Sequence, residues 1–155
     1  MLDRLRSNPY ANVAWLLLAC AAHMVLFGAR VDADLHLWQR LLSMIAAICV
    51  TLPLHELIHF ILMKGFSGGR RVRIRLARSP IGLPTLVTVA EADFRPWQMI
   101  LVYLAPFVLM TLLPDLVFAF AGSIPPVAFI AVVCNAAGCF YDLLDALIIA
   151  RKPRP

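Results

Sequence analysis

The chain alternates between long apolar runs and short polar ones. Four runs stand out, at about residues 11–29, 41–63, 97–121 and 124–150. Each approaches or exceeds the roughly 20 residues that a helix needs to cross the hydrocarbon core of a bilayer. The last separator is the thinnest, built from Gly122, Ser123, Pro125 and Pro126. Pro114 and Asp115 interrupt the third run and offer it an earlier end, which would leave 116–121 as a short re-entrant or interfacial piece.

Between the second and third runs the period changes. Gly65, Gly68 and Gly69 are expected to stop the second helix. Arg71-Val72-Arg73-Ile74-Arg75-Leu76 then alternates polar and apolar with period two, as a half-exposed strand does. Ser79-Pro80-Ile81-Gly82-Leu83-Pro84 supplies turn residues, and Thr85-Leu86-Val87-Thr88-Val89 reads as a second strand. The pattern predicts an all-α membrane protein. Four transmembrane helices form one integral membrane domain over residues 1–155, with a short cytoplasmic β-hairpin at about 70–92 between the second and third.

Composition supports that reading. Hydrophobic residues make up 62% of the chain and charged residues 15%, against about half and a quarter in soluble domains. The surplus apolar side chains need lipid as their solvent. A net charge of +5 does not indicate a nucleic-acid partner here, because the charges are sided. Of the 14 basic residues, only Arg30 and Arg40 fall between the first two runs, beside Asp32 and Asp34. The other basic residues, including Arg4, Arg6, Arg70, Arg71, Arg73, Arg75, Arg78, Lys152 and Arg154, lie on the opposite side of a four-span arrangement. The positive-inside rule then places both termini and the hairpin in the cytoplasm. The hairpin arginines suit anionic headgroups, at about 1 kcal/mol each, and an unpaired strand edge there suits an extended substrate.

Arg4, Arg6 and the run up to Cys20 loosely imitate a cleaved leader, but continuation of the run through Phe27 favours a retained anchor. Cys20, Cys49, Cys134 and Cys139 all sit in apolar runs without the spacing of a zinc ribbon or a disulfide framework, and read as buried free thiols.

Ionisable residues inside lipid are costly and therefore informative. The second run holds three within five positions, in His55-Glu56-Leu57-Ile58-His59. On a helix, positions i and i+4 project from one face about 5–6 Å apart at Cβ, so both imidazoles can reach one zinc ion. Glu56 is then suited to serve as general base toward water. The other histidines, His23 standing alone in the first run and His36 in the outer loop, read as structural.

A catalytic zinc takes three protein ligands and keeps one open position. The fourth run offers Asp142 and Asp145. His55 lies nine residues before Lys64 and Asp142 nine before Arg151, which sets both about 13 Å from the inner boundary. Asn135, seven positions before Asp142, shares nearly its helical face and suits either a hydrogen bond to substrate or one between helices. Gly138 would let another helix approach closely, and Pro53 is expected to kink the second helix.

The motif His55–His59 in one span and the stretch Asn135 to Asp142 in a later one resemble the site-2-protease class of intramembrane metallopeptidases, most of all its small zincin peptidase relatives. Tyr103-Leu104-Ala105-Pro106-Phe107 is also similar to those relatives. The likeness covers about residues 41–150. It implies a zinc-dependent endopeptidase that cuts a partner protein's transmembrane segment near the cytoplasmic face. His55, His59 and Asp142 would be the zinc ligands and Glu56 the base. Better-known members place glycine directly after the ligand aspartate, whereas Leu143 follows Asp142 here, so Asp145 stays an alternative ligand. Two other function classes remain at this stage. A divalent-cation transporter would string polar residues across the full membrane depth, whereas these cluster at one level. An inert metal-containing scaffold would have no need of Glu56.

Overall fold

A computed structural model describes residues 8–31, 36–78 and 84–151. The expectations placed on Arg4, Arg6, Asp32, Asp34, Lys152, Arg154 and turn residues 79–83 lie outside the described residues.

Helix α1 (Pro9–Phe27) starts at an Asn8 cap, whose side chain accepts from the Tyr10 N–H. Helix α2 (Leu37–Phe66) runs unbroken through Pro53 and Gly65. It ends where Gly68 and Gly69 take positive φ values of 58° and 87°, a conformation that glycine adopts without steric cost. Strands β1 (Val72–Arg78) and β2 (Pro84–Ala90) pair antiparallel, with Ile74 opposite Thr88 and Val72 opposite Ala90.

The third apolar run continues past Pro114. Helix α3 (Pro96–Phe107) passes through a π-helical turn at Val108–Leu112 into α4 (Leu113–Phe120). In that turn the Leu113 N–H bonds the Val108 carbonyl, five residues back. The Pro114 ring, which clashes with the carbonyl four residues back in a regular helix, follows directly. One wider turn thus carries the chain onward, and the early end offered by Pro114 and Asp115 is not taken.

The fourth run departs from expectation. It is two helices, α5 (Pro126–Gly138) and α6 (Phe140–Arg151), bent by 41° at Cys139. Three helices are long and apolar enough to cross a membrane, Tyr10–Arg30, Leu37–Phe66 and Pro96–Phe120, or four if the bent pair is one span. A Cβ at Gly138 would meet nothing within 4 Å, so the close approach expected there is absent among the described residues.

Helix α2 packs against α5 and α3, α3 against α6, α1 against α5, and the hairpin against α2. One apolar cluster, Phe27, Phe118, Ile124, Phe129 and Val132, closes one end; another, Met63, Val72 and Val102, lies under the hairpin. Arg30 donates from Nη1 to the carbonyls of Phe118 and Ala119, at 3.0 and 2.9 Å, serving acceptors that the end of α4 leaves open. Trp15 Nε1 does the same for Ala136, at 2.8 Å, in the last turn of α5. Large apolar side chains point outward along the spans, among them Val25, Val117 and Phe120, which suits a surface solvated by lipid. All four cysteines are free, but only Cys139 is buried, and Cys49 is exposed.

Candidate metal centre

His55 and His59 project from one face of α2 with ring centroids 4.8 Å apart, as their i, i+4 spacing requires. Their Nε2 atoms are 3.1 Å from each other. Oδ2 of Asp142, from the first turn of α6, lies 3.0 Å from Nε2 of His55 and 3.4 Å from Nε2 of His59. The three atoms form a near-equilateral triangle at the core of the bundle, with both histidine side chains and the aspartate mostly buried.

The outer nitrogens of both rings face hydrogen-bond acceptors. His59 Nδ1 is 3.0 Å from the Val102 carbonyl. A carbonyl only accepts, so Nδ1 donates, and in the neutral ring Nε2 then presents a lone pair. His55 faces Asn135, which is 1% exposed. Its Nδ2 donates to the Pro106 carbonyl and to Thr111 Oγ1, both at 3.0 Å. Because the Pro106 oxygen cannot donate, the amide orientation is set, and Oδ1 is the atom 3.0 Å from His55 Nδ1. His55 therefore also carries its proton on Nδ1. Cys139 Sγ lies nearby, 3.5 Å from Asn135 Nδ2 and 3.9 Å from His55 Nδ1.

With both rings neutral, three acceptor atoms converge on one point. Such an arrangement calls for a cation. Two ligands at bonds of about 2.0–2.1 Å in tetrahedral geometry stand roughly 3.3 Å apart, which is the size of the triangle seen here. The donor set, two imidazoles and one carboxylate, suits zinc. The Nδ1–H bonds to a carbonyl and an amide oxygen are the outer contacts that orient metal-binding imidazoles.

Glu56 stands next to this triangle, within a group of His55, Glu56 and His59 whose ligand atoms all lie within 4.8 Å. Its Oε2 accepts from Thr88 Oγ1 of β2 at 2.9 Å, and the same hydroxyl lies 3.0 Å from the Glu56 carbonyl. Glu56, His59, Met63, Val87, Thr88, Tyr103 and Asp142 line a cavity of about 170 Å³. The hairpin therefore forms one wall of the site. Asp145 belongs to neither group of potential metal ligands found among the described residues, whereas Asp142 does.

Asn135 is enclosed, and its amide is engaged by His55, Pro106, Thr111 and Cys139. Of the two uses weighed for it from sequence, its surroundings match the bond between helices. Sequence reading missed Val102, Thr88 and Thr111. Val102 acts through its backbone, which leaves no trace in residue type; the hydroxyls of Thr88 and Thr111 are ordinary in a strand and a helix. His23 is not alone, since its Nε2 lies 3.3 Å from Oδ2 of Asp115, inside the bundle.

Comparison with curated proteins and comparison with solved structures each return no match. A protein-family model does match, over residues 48–155, and takes in the histidine motif, the hairpin, Asn135 and Asp142. The chain belongs to the family described as "Putative zincin peptidase".

Proposed function

We propose that this protein is a zinc-dependent intramembrane endopeptidase that cleaves a transmembrane or membrane-proximal segment of a partner protein. The observation that carries the reading is the triangle of acceptor atoms, Nε2 of His55, Nε2 of His59 and Oδ2 of Asp142, at 3.0–3.4 Å beside a carboxylate that is not needed to complete it. Those three residues would hold the ion. The chemistry zinc supplies when bound is Lewis acidity toward a carbonyl oxygen and toward water, whose pKa falls to about 7.

Glu56 accepts the proton of the attacking water and returns it to the leaving amine. Thr88 holds the Glu56 carboxylate in place from the hairpin side. A helical substrate hides its amides in hydrogen bonds, so the segment must unwind before attack. Strand β2 stands against the cavity, which supports a role for the hairpin edge in holding the unwound segment extended. The charge distribution supports cytoplasmic termini and a cytoplasmic hairpin, with Arg71, Arg73 and Arg75 exposed toward anionic headgroups.

The test is purified protein in lipid with single-pass substrates, comparing wild type with Glu56→Gln. Zinc bound by both and cleavage only by wild type is the expected result. Equal cleavage by both removes Glu56 from the mechanism. A wild type that binds no divalent metal overturns the zinc reading.

A further inference from the structure

A proline inside a helix withholds one N–H from the carbonyl four residues earlier. Pro106 lies inside α3, and the carbonyl four residues earlier belongs to Val102. That carbonyl is the acceptor 3.0 Å from His59 Nδ1. Val102 is 0% exposed, and a buried carbonyl without a donor is costly. The imidazole supplies the missing donor. The carbonyl of Pro106 itself accepts from Asn135 Nδ2, the bond that sets the amide orientation facing His55. One residue thus stands behind the proton position of both imidazoles.

We infer that Pro106 is a positioning residue for the metal centre: its missing N–H reserves the Val102 carbonyl for His59 Nδ1 and so aims Nε2 at the ion. The inference rests on the reading of His59 as a zinc ligand. A merely structural proline would act through its ring, by bending α3, so the experiment separates the ring from the missing N–H. Pro106→Ala restores the N–H, which then competes for the Val102 carbonyl. Replacement of Pro106 by lactic acid, through backbone ester incorporation, removes the ring and still presents no N–H.

Both full-length variants are compared with wild type for zinc affinity, by chelator competition, and for the visible spectrum of the cobalt-loaded protein. Pro106→Ala is expected to weaken zinc binding by about tenfold and change the cobalt spectrum, while the ester variant stays within about threefold with the wild-type spectrum. Unchanged binding in Pro106→Ala, or equal weakening in both variants, overturns the inference. Should Pro106→Ala fail to fold, the zinc-loaded wild type decides alone by nuclear magnetic resonance. A His59 Nδ1 proton protected from solvent exchange supports the bond to Val102, and a freely exchanging one overturns the inference. A wild type that binds zinc beside an indifferent Pro106→Ala variant defeats this inference only. A wild type that binds none defeats the zinc reading as well.

Discussion

Asn135 and Asp142 hold the two nitrogens of a single imidazole. Oδ1 of Asn135 is 3.0 Å from Nδ1 of His55, and Oδ2 of Asp142 is 3.0 Å from Nε2. Along a helix these residues stand about 10 Å apart, a span that two side chains and the ring between them bridge. A 41° bend at Cys139 lies between them. The helices on either side of the break thus each contribute one contact to the same ring.

Asn135→Leu removes the acceptor for His55 Nδ1 while keeping similar volume. Zinc affinity is expected to fall by about 10- to 100-fold, measured by chelator competition. If zinc binding is unchanged and only KM for the cleaved segment rises, Asn135 contacts substrate instead.

The two aspartates of the last helix should separate cleanly. Asp142→Asn takes the charge from an atom shared by both imidazoles and is expected to leave the purified protein with little or no zinc. Asp145→Asn is expected to retain it. Metal content after dialysis distinguishes them, and the reverse order would move the third ligand to Asp145.

Thr88→Val keeps the β-branched shape and deletes the hydroxyl that donates to Glu56. A hydrogen bond to a charged group contributes about 1.5–3 kcal/mol. If half of that is expressed in the transition state, cleavage slows by roughly 3- to 10-fold with zinc content unaltered. Faster cleavage would show that the hairpin contact restrains the base rather than supporting it.

The His23–Asp115 pair joins α1 to α4 at 3.3 Å, away from the metal centre. Removing one member leaves the other without its partner, whereas replacing both with apolar residues leaves no such orphan and costs less. His23→Leu should lower the thermal unfolding midpoint in detergent more than the double change His23→Leu with Asp115→Leu. Equal losses would mean that the two groups do not interact.

Much of the site was legible because its parts break a rule of their surroundings. Charged and imidazole side chains in an apolar run are conspicuous. His55, Glu56 and His59 could be named on that ground, and Asp142 and Asp145 together, with the family resemblance alone favouring Asp142. The groups that orient them were not. Asn135 stood out as a polar residue, but sequence could not say which of its neighbours it would bond. Val102 and Pro106 contribute a carbonyl and a missing N–H, and neither distinguishes them from any other valine or membrane proline. His23 looked isolated because its partner lies 92 positions away, on a helix whose packing against α1 no local pattern specifies.

The order of apolar runs, the period-two stretch and the i, i+4 histidines were enough to place the first three apolar spans, the hairpin and the histidine half of the candidate metal centre. Those features follow from local geometry and from the cost of polar groups in lipid, both of which act within a few turns of chain. Only the tertiary structure decided that the last run bends at Cys139, that Asp142 meets both imidazoles, and that β2 reaches Glu56. These depend on how helices distant in sequence pack against one another, and packing is settled by the joint fit of many side chains rather than by any one segment.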